Sequence, residues 1–242
     1  MELIIEFIII FVLAVFQSVF GVGLLLFGTP TFLFIGYDFE STLVLLLPVS
    51  ISISFLQIIY QKSSIKSLVS EYNLFCLPFL VLFLVIAINL GDIVDIRIYV
   101  SIFLIISSIV ILNKNRIVRM NKYLLKYRKF YLVLIGSIHG FTNMGGGFLS
   151  LFSTLVNGED RVLTRNYISY GYFVMGCIQY ITILFIGLNS IDFTKLYYVC
   201  LPLVLFSSSQ KIFNKIDNQL FMKIINFVAL IFGIVVLIIS LE

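Results

Sequence analysis

The chain has 242 residues, of which 61% are hydrophobic and 12% are charged, whereas soluble domains carry about 25% charged residues. A water-soluble core cannot bury this much apolar surface, so the composition excludes a soluble globular protein. The formal net charge of +4 does not indicate a nucleic-acid partner, because no basic surface with interleaved aromatic residues accompanies it.

The first apolar element covers Leu3–Phe20 and is interrupted at its end. Glu2 and Glu6 stand where a secretory signal would carry lysine or arginine, so we interpret this element as a retained membrane segment. The stretch Gln17–Gly23 mixes polar residues with glycine, and each glycine lowers helix stability by about 1 kcal/mol relative to alanine. The pattern therefore predicts a break in the helix.

Three further apolar runs complete the first half of the chain: Thr42–Tyr60, Leu74–Leu90 and Ile96–Leu112. Their length is close to the roughly 20 residues that a helix needs to cross hydrocarbon. They are apolar on every face, whereas strands of a membrane barrel alternate apolar and polar residues, so they predict helices. The segment 113–129 follows and holds seven of the sixteen basic residues, which the positive-inside rule assigns to the cytoplasm.

The second half repeats this order of elements. Its first element is interrupted at His139–Gly147, where three consecutive glycines disfavour a continuous helix. Three apolar runs follow it: Ile168–Leu188, Leu196–Phe206 with its flanks, and Leu220–Leu241.

Sliding the sequence on itself by 122 positions aligns polar residues of the two halves. The aligned pairs are Gln17 with His139, Gly23 with Gly145, Gly36 with Gly158, Asp38 with Asp160, Thr42 with Thr164 and Gln57 with Gln179. Apolar matches arise by chance in such a chain, whereas these polar matches do not arise easily. An old duplication retained only for packing is the alternative to a functional repeat.

We therefore predict an all-α polytopic integral membrane protein built from two related four-element repeats. The first element of each repeat is broken or re-entrant at its Gly-rich tract. The predicted regions are a first membrane repeat (1–112), a basic cytoplasmic linker (113–129) and a second membrane repeat (130–242).

The two breaks predict a cavity within the membrane. Irregular backbone at that depth is tolerated only where protein or a water-filled cavity satisfies it. A helix that begins after a break directs its N–H groups at the cavity and favours an anion there. Because every Lys and Arg falls in a loop or at a helix end, we expect dipoles, amides and hydroxyls to hold the anion. The alternative is that the glycines serve close helix packing.

The candidate substrate site takes residues from both breaks and the two aligned glutamines. They are Gln17, Gly21, Gly23, Gln57, His139, Thr142, Asn143, Gly145, Gly146, Gly147 and Gln179. His139 is the only histidine, and an ionisable group inside a membrane element indicates function, so it is the candidate for proton coupling. The alternatives are a neutral histidine bonded to a freed carbonyl, and glutamines that bond between helices. The three cysteines stand alone without metal-ligand spacing, so we predict no metal and no cofactor.

The tract Gly140-Phe-Thr-Asn-Met-Gly-Gly-Gly147, in a chain of two four-element halves, resembles the sulfite exporter TauE/SafE family of membrane permeases. The prolines that follow Leu77 and Leu201 at the start of the third elements fit the resemblance. The sequence departs from the family in its first tract, where Leu24 stands in place of a glycine.

The resemblance implies a secondary transporter, a permease or exporter, for small sulfur-containing anions such as sulfite, thiosulfate or sulfonates. It further implies coupling to protons and a multi-pass location in the inner (plasma) membrane of a prokaryote, and it is compatible with a homo-oligomer. The partners expected from it are the anionic substrate and the lipid bilayer.

Two other classes compete with a transporter. An intramembrane enzyme needs an acid–base, nucleophile or metal constellation. One histidine, and aspartates that all fall in loops, leave no buried carboxylate for such chemistry, so we predict that the protein is not an enzyme. A non-transporting accessory subunit would only pack against a partner and would need no cavity.

Charge counting predicts the topology. If the first element of each half is a re-entrant hairpin, fourteen of the sixteen basic residues lie inside, and only Arg97 and Lys195 lie outside. If all eight elements cross the membrane, ten lie inside and six outside. The positive-inside rule favours the hairpin, and three crossings per half would invert the halves relative to each other.

Overall fold

The computed structural model describes residues 2–61, 66–90, 126–157, 160–186 and 193–217, with isolated positions at 102, 105 and between 219 and 238. Every regular element in these residues is helical. Most of the linker 113–129, the predicted element Ile96–Leu112 apart from two positions, and Gly158 of the repeated motif lie outside the described residues.

The described helices lie in both halves of the chain. Those of the first half are α1 (Glu2–Phe20), α2 (Leu24–Ile35), α3 (Phe39–Gln61), α4 (Lys66–Phe75) and α5 (Leu77–Leu90). Those of the second half are α6 (Arg128–Thr142), α7 (Gly146–Asn157), α8 (Arg161–Ile186), a 3₁₀ helix (Phe193–Val199) and α9 (Cys200–Lys215).

Five helical stretches in the described part of the chain are long and apolar enough to cross a membrane. They are Leu3–Phe20, Phe39–Gln61, Val69–Leu90, Arg161–Ile186 and Lys195–Lys215. The prediction of an all-helical membrane protein is confirmed at this level.

The Gly-x-Asp motif at Gly36–Asp38 ends one helix and starts the next, and Asp160 of the second copy starts another helix. Gly36 ends α2 with a φ of 102°, a left-handed conformation that glycine adopts without strain. Asp38 Oδ1 then accepts a hydrogen bond of 2.7 Å from the Ser41 amide at the start of α3. Asp160 Oδ1 accepts one of 2.9 Å from the Val162 amide at the start of α8. Both aspartates are therefore helix N-caps.

The long helices α3 and α8 pack against each other in antiparallel orientation at the centre of the bundle. The Ser169 hydroxyl donates to Gln57 Oε1 at 2.7 Å, and Phe55 stacks on Phe173 with ring centroids 5.8 Å apart. Residue numbers that fall along α3 therefore pair with residue numbers that rise along α8, as in antiparallel helices. Both helices contribute to the core, because many of their residues, including Gln57 and Ser169, are buried.

One end of the bundle, here called the N-terminal end, gathers Glu6, Tyr37 and Lys195. The Tyr37 hydroxyl donates to Glu6 Oε2 at 2.5 Å, and Lys195 Nζ donates to the same oxygen at 2.6 Å. The chain therefore returns, at the end of α2, to the level at which α1 began. The reversal of direction takes place between Phe20 and Leu24.

The opposite end, here called the basic end, contains the start of α8 and the end of α9. The Arg161 guanidinium donates to the carbonyl of Phe213 at 2.9 Å and to that of Asn214 at 3.3 Å. Since α3 runs antiparallel to α8, Gln61 at the end of α3 belongs to this end as well.

Helices α5 and α6 are packed backbone to backbone. A Cβ on Gly136 would lie 2.1 Å from the carbonyl oxygen of Cys76, and one on Gly140 would lie 2.3 Å from that of Leu80. No larger residue fits at either glycine. The packing interpretation of glycine therefore holds for Gly140, which the sequence had placed in the second tract.

Candidate functional site

The first break separates α1 from α2 at Gly21–Gly23. Gly21 has a φ of 80° and Gly23 one of 148°, which residues with a Cβ rarely adopt. Gln17, in the last turn of α1, accepts a hydrogen bond of 3.2 Å at Oε1 from the Leu24 amide. Gln17 thus satisfies one of the N–H groups that the start of α2 leaves without a partner in its own helix.

Gln57 completes the hydrogen bonds of the first break. Its Nε2 donates to the carbonyl of Gln17 at 2.8 Å and to that of Ser18 at 3.1 Å. These carbonyls belong to the last turn of α1, and that of Gln17 also accepts a hydrogen bond of 2.7 Å from the Gly21 amide. Gln17 Nε2 in turn donates to Ser50 Oγ at 2.9 Å, so α3 holds the break through both its middle and its end.

The second break separates α6 from α7 and is constructed in a similar way. Asn143 has a φ of 59°, and Thr142 Oγ1 accepts a hydrogen bond of 3.2 Å from the Met144 amide. His139 Nδ1 accepts one of 3.1 Å from the Gly145 amide. His139 therefore bonds to an amide rather than to a freed carbonyl, and its Nδ1 carries no proton.

The remaining second-break residues contact both halves. Asn143 Nδ2 donates to Thr29 Oγ1 of α2 at 2.9 Å, which joins this break to the first half. Gly147 is buried in the first turn of α7. Gln179 is fully buried on α8, and its amide atoms have no hydrogen-bond partner among the described residues.

Tyr172 is a site residue that the sequence analysis missed. Its ring lies against the His139 ring with centroids 5.9 Å apart. A Cβ on Gly146 would lie 1.6 Å from its hydroxyl oxygen, so the tyrosine fills the space beside the start of α7. The alignment of the two halves could have identified Tyr172, because it aligns with Ser50, the hydrogen-bond partner of Gln17.

A cavity of about 550 Å³ opens among the end of α2, the first part of α3 and the start of α1. Glu6, Tyr37 and Lys195 line it at the N-terminal end, and it extends along α3 to Pro48 and Val49. Val49 precedes Ser50, the partner of Gln17. The residues of the two breaks do not line this cavity, so it lies next to the predicted site instead of between the breaks. The break residues themselves are packed and buried.

Arg165 lies near a helix end, as the sequence predicts for every basic residue, but its side chain is enclosed by the fold. It is fully buried in α8, and its Nη2 donates to the carbonyl of Ser18 at 2.9 Å. A Cβ on Gly21 would lie 3.2 Å from its Cγ. The sequence places Arg165 in the second turn of a helix, where exposure is usual, but the end of α1 covers it in the folded chain.

Glu6 contradicts the expectation that no carboxylate is buried. Its side chain is 4% exposed, and Lys195 neutralises it. Burial and the neighbouring Glu6 carboxylate raise the pKa of the Tyr37 hydroxyl above its ordinary value, so Tyr37 stays a hydrogen-bond donor at neutral pH. These groups line the cavity mouth, away from both breaks.

Comparison of the chain with models of known protein families, with curated proteins and with solved structures finds no match. The resemblance to the TauE/SafE family therefore depends on the residues of the Gly140–Gly147 tract and on the Leu-Pro positions alone. Its functional content is a proposal.

Proposed function

We propose that the protein is a secondary transporter of small sulfur-containing anions, such as sulfite, thiosulfate or sulfonates, in a prokaryotic inner membrane. The observation that carries the proposal is the matched construction of the two helix breaks. At each break, a side chain from the preceding helix accepts a hydrogen bond from a backbone amide at the start of the next helix. Gln17 accepts one from Leu24, and His139 accepts one from Gly145. Transporters place their substrate sites where such repeated, interrupted helices meet.

The neighbours of the two breaks support a functional repeat. Gln17 bonds to Ser50, and His139 packs on Tyr172. His139 lies 122 positions after Gln17, and Tyr172 lies 122 positions after Ser50, so equivalent positions meet in both halves. A duplication retained only for helix packing would not need to keep two breaks with the same contacts.

The directions of the helices support inverted halves with re-entrant first elements. Helices α3 and α8 are equivalent in the repeat and run antiparallel. In each half the chain turns back after the break: Tyr37 returns to Glu6, and Phe152 stacks on Tyr131 with centroids 5.8 Å apart. Inverted repeats allow alternating access by exchanging conformations between the halves. By the positive-inside rule the basic end faces the cytoplasm.

The cavity supports a path from the N-terminal end toward the first break. It ends at Val49, one residue before the Ser50 that holds Gln17. The starts of α2 and α7 place the positive ends of two helix dipoles at the breaks. Both breaks are packed in this conformation, so substrate access requires one half to move against the other.

His139 supports coupling to a proton. Its Nδ1 accepts the Gly145 amide, and protonation at Nδ1 would convert this acceptor into a donor. Proton binding would therefore break the bond that fixes the start of α7. A titration inside the membrane would in this way change the geometry of the second break.

The test is anion flux in proteoliposomes that contain the purified protein. Sulfite, thiosulfate and an alkane sulfonate are offered in turn, with chloride and acetate as comparison anions, and with and without an imposed pH gradient. We expect flux of at least one sulfur anion above protein-free vesicles and a change of that flux with the gradient. Flux equal to protein-free vesicles for all three sulfur anions would support an accessory subunit instead.

A further inference from the structure

Arg165 occupies an enclosed position between the first break and the basic end. It lies four residues after Arg161, about 6 Å farther along the axis at 1.5 Å per residue. Its Nη1 donates to Gln210 Oε1 at 2.9 Å, and its guanidinium lies 4.1 Å from the centroid of the Phe213 ring. Helices α1, α8 and α9 therefore meet at this side chain.

Three buried donors around this guanidinium have no acceptor in the described part of the chain. They are Ser18 Oγ, Arg165 Nε and Gln210 Nε2. The orientation of the Gln210 amide is fixed, because its oxygen already accepts from Arg165. All three residues are buried, with Gln210 the most exposed at 4%. Buried donors of this kind are costly unless something accepts their hydrogen bonds.

The charge of Arg165 also lacks a counterpart. Within the described residues the guanidinium contacts a carbonyl, an amide oxygen and an aromatic ring, and no carboxylate pairs with it. A buried cation is strongly disfavoured without an opposite charge, although the Phe213 ring offsets part of that cost. A water molecule would accept hydrogen bonds but would leave the charge unbalanced, whereas an anion supplies both.

We propose that Ser18, Arg165 and Gln210 form a binding site for a small oxyanion. An oxyanion such as sulfite offers several acceptor oxygens, which suits three donors on separate helices whose residues are joined at the Arg165 guanidinium. Phe221 packs against both Phe20 and Phe213, with centroids 5.4 and 6.0 Å apart, and covers the cluster toward the basic end. Binding of the oxyanion is inferred from these contacts alone. That the bound anion is the transported cargo rests on the proposed function.

Thermal unfolding of the purified protein in detergent tests the site without any transport step. Sodium sulfite is titrated at constant ionic strength against sodium gluconate, whose bulky anion does not fit an enclosed site. We expect the wild type to be stabilised as sulfite rises, since binding to the native state alone shifts unfolding by mass action. Arg165→Gln should raise the half-maximal sulfite concentration at least about tenfold, the usual scale for a hydrogen bond to a charged group.

Two further variants keep the test decisive if Arg165→Gln does not fold. Gln210→Glu gives Arg165 a carboxylate within the chain, so the protein should fold and lose its response to sulfite. Arg161→Gln is the matched control, because Arg161 also lies on α8 near Phe213 but binds backbone carbonyls, and its sulfite response should equal that of the wild type. A wild type without stabilisation, or a Gln210→Glu response equal to the wild type, would overturn the site.

Failure of this site and failure of the transporter give different results. Stabilisation by sulfite that depends on Arg165, without flux in proteoliposomes, would retain the anion site and reject transport. Flux that is unchanged in Arg165→Gln would retain transport and reject a role for this site in the transport path.

Discussion

The contact between Gly146 and Tyr172 predicts a specific effect of adding one methyl group. In Gly146→Ala the new Cβ would lie 1.6 Å from the Tyr172 hydroxyl oxygen and 2.5 Å from the ring carbon that bears it. Tyr172 is fully buried, so its ring cannot move aside into solvent. The tyrosine or the start of α7 must therefore shift, and both belong to the second break.

The expected destabilisation is that of an overpacked core, about 1–3 kcal/mol. For a chain of this size that corresponds to a melting temperature lower by roughly 2–12 °C. Anion flux per folded molecule should fall as well, because the shift displaces Tyr172 from the His139 ring.

The matched control is Gly28→Ala on the equivalent broken element. Gly28 is buried in α2, but its Cβ would meet Leu46 Cδ1 at 2.9 Å and Leu13 Cδ1 at 3.3 Å. Both atoms are terminal methyl groups, which move by small rotations of the leucine side chains. We expect Gly28→Ala to change the free energy of unfolding by less than about 1 kcal/mol, since alanine also favours the helix.

A double variant separates the contact from other effects. Tyr172→Ser reproduces the serine found at the aligned position of the first half, and alone it should cost about 3–5 kcal/mol through the cavity it leaves. Gly146→Ala combined with Tyr172→Ser should cost less than the sum of the two by about 1–3 kcal/mol. Melting curves in detergent and flux in proteoliposomes measure both effects. If Gly146→Ala behaves like Gly28→Ala in both, the reasoning is refuted.

Three further predictions follow from the same contacts. His139→Gln should flatten the pH dependence of flux while flux persists, because glutamine can still accept a hydrogen bond from the Gly145 amide but cannot titrate. A pH profile of flux equal to that of the wild type would show that His139 takes no part in proton coupling. Asp38→Ala and Asp160→Ala should each cost about 1 kcal/mol in melting experiments as lost N-caps, and flux per folded molecule should not change; a large loss of flux would make them substrate ligands. Cysteines at Asp38 and Asn157, in a background without native cysteines, should be labelled from opposite sides, the first from outside; labelling of both from outside would restore eight crossings.

The sequence was sufficient for the all-helical class and for helices long and apolar enough to cross a membrane. Apolar runs of spanning length predict helices because the bilayer leaves few alternatives, and the tracts around Gly21 and Gly145 predict interruption because glycine disfavours a helix. The same reasoning explains the aspartates of the repeated motif, since Asp38 and Asp160 precede their helices as N-caps do.

The contents of the site could not be predicted in the same way. Arg165 is placed like an exposed residue of an early helical turn, and only the approach of α1 and α9 buries it. Tyr172 appears as one apolar residue among many, and only the spacing of 122 positions to Ser50 marks it. Long-range packing decides both cases, whereas local patterns decide helix limits.

The two breaks differ in their ionisable side chains. Arg165 aligns with Leu43, so the guanidinium stands at the first break and has no counterpart in the first half. His139 aligns with Gln17, so the titratable ring stands only at the second break. The Asn143 amide of the second break donates a hydrogen bond to Thr29 of α2. Helix α2 therefore contacts the second break, and it follows directly on the first. In the proposed cycle, an anion held near Arg165 would act on the residues just before α2, and a proton held at His139 would act on the middle of α2 through Asn143 and Thr29. Movement of α2 would couple the two.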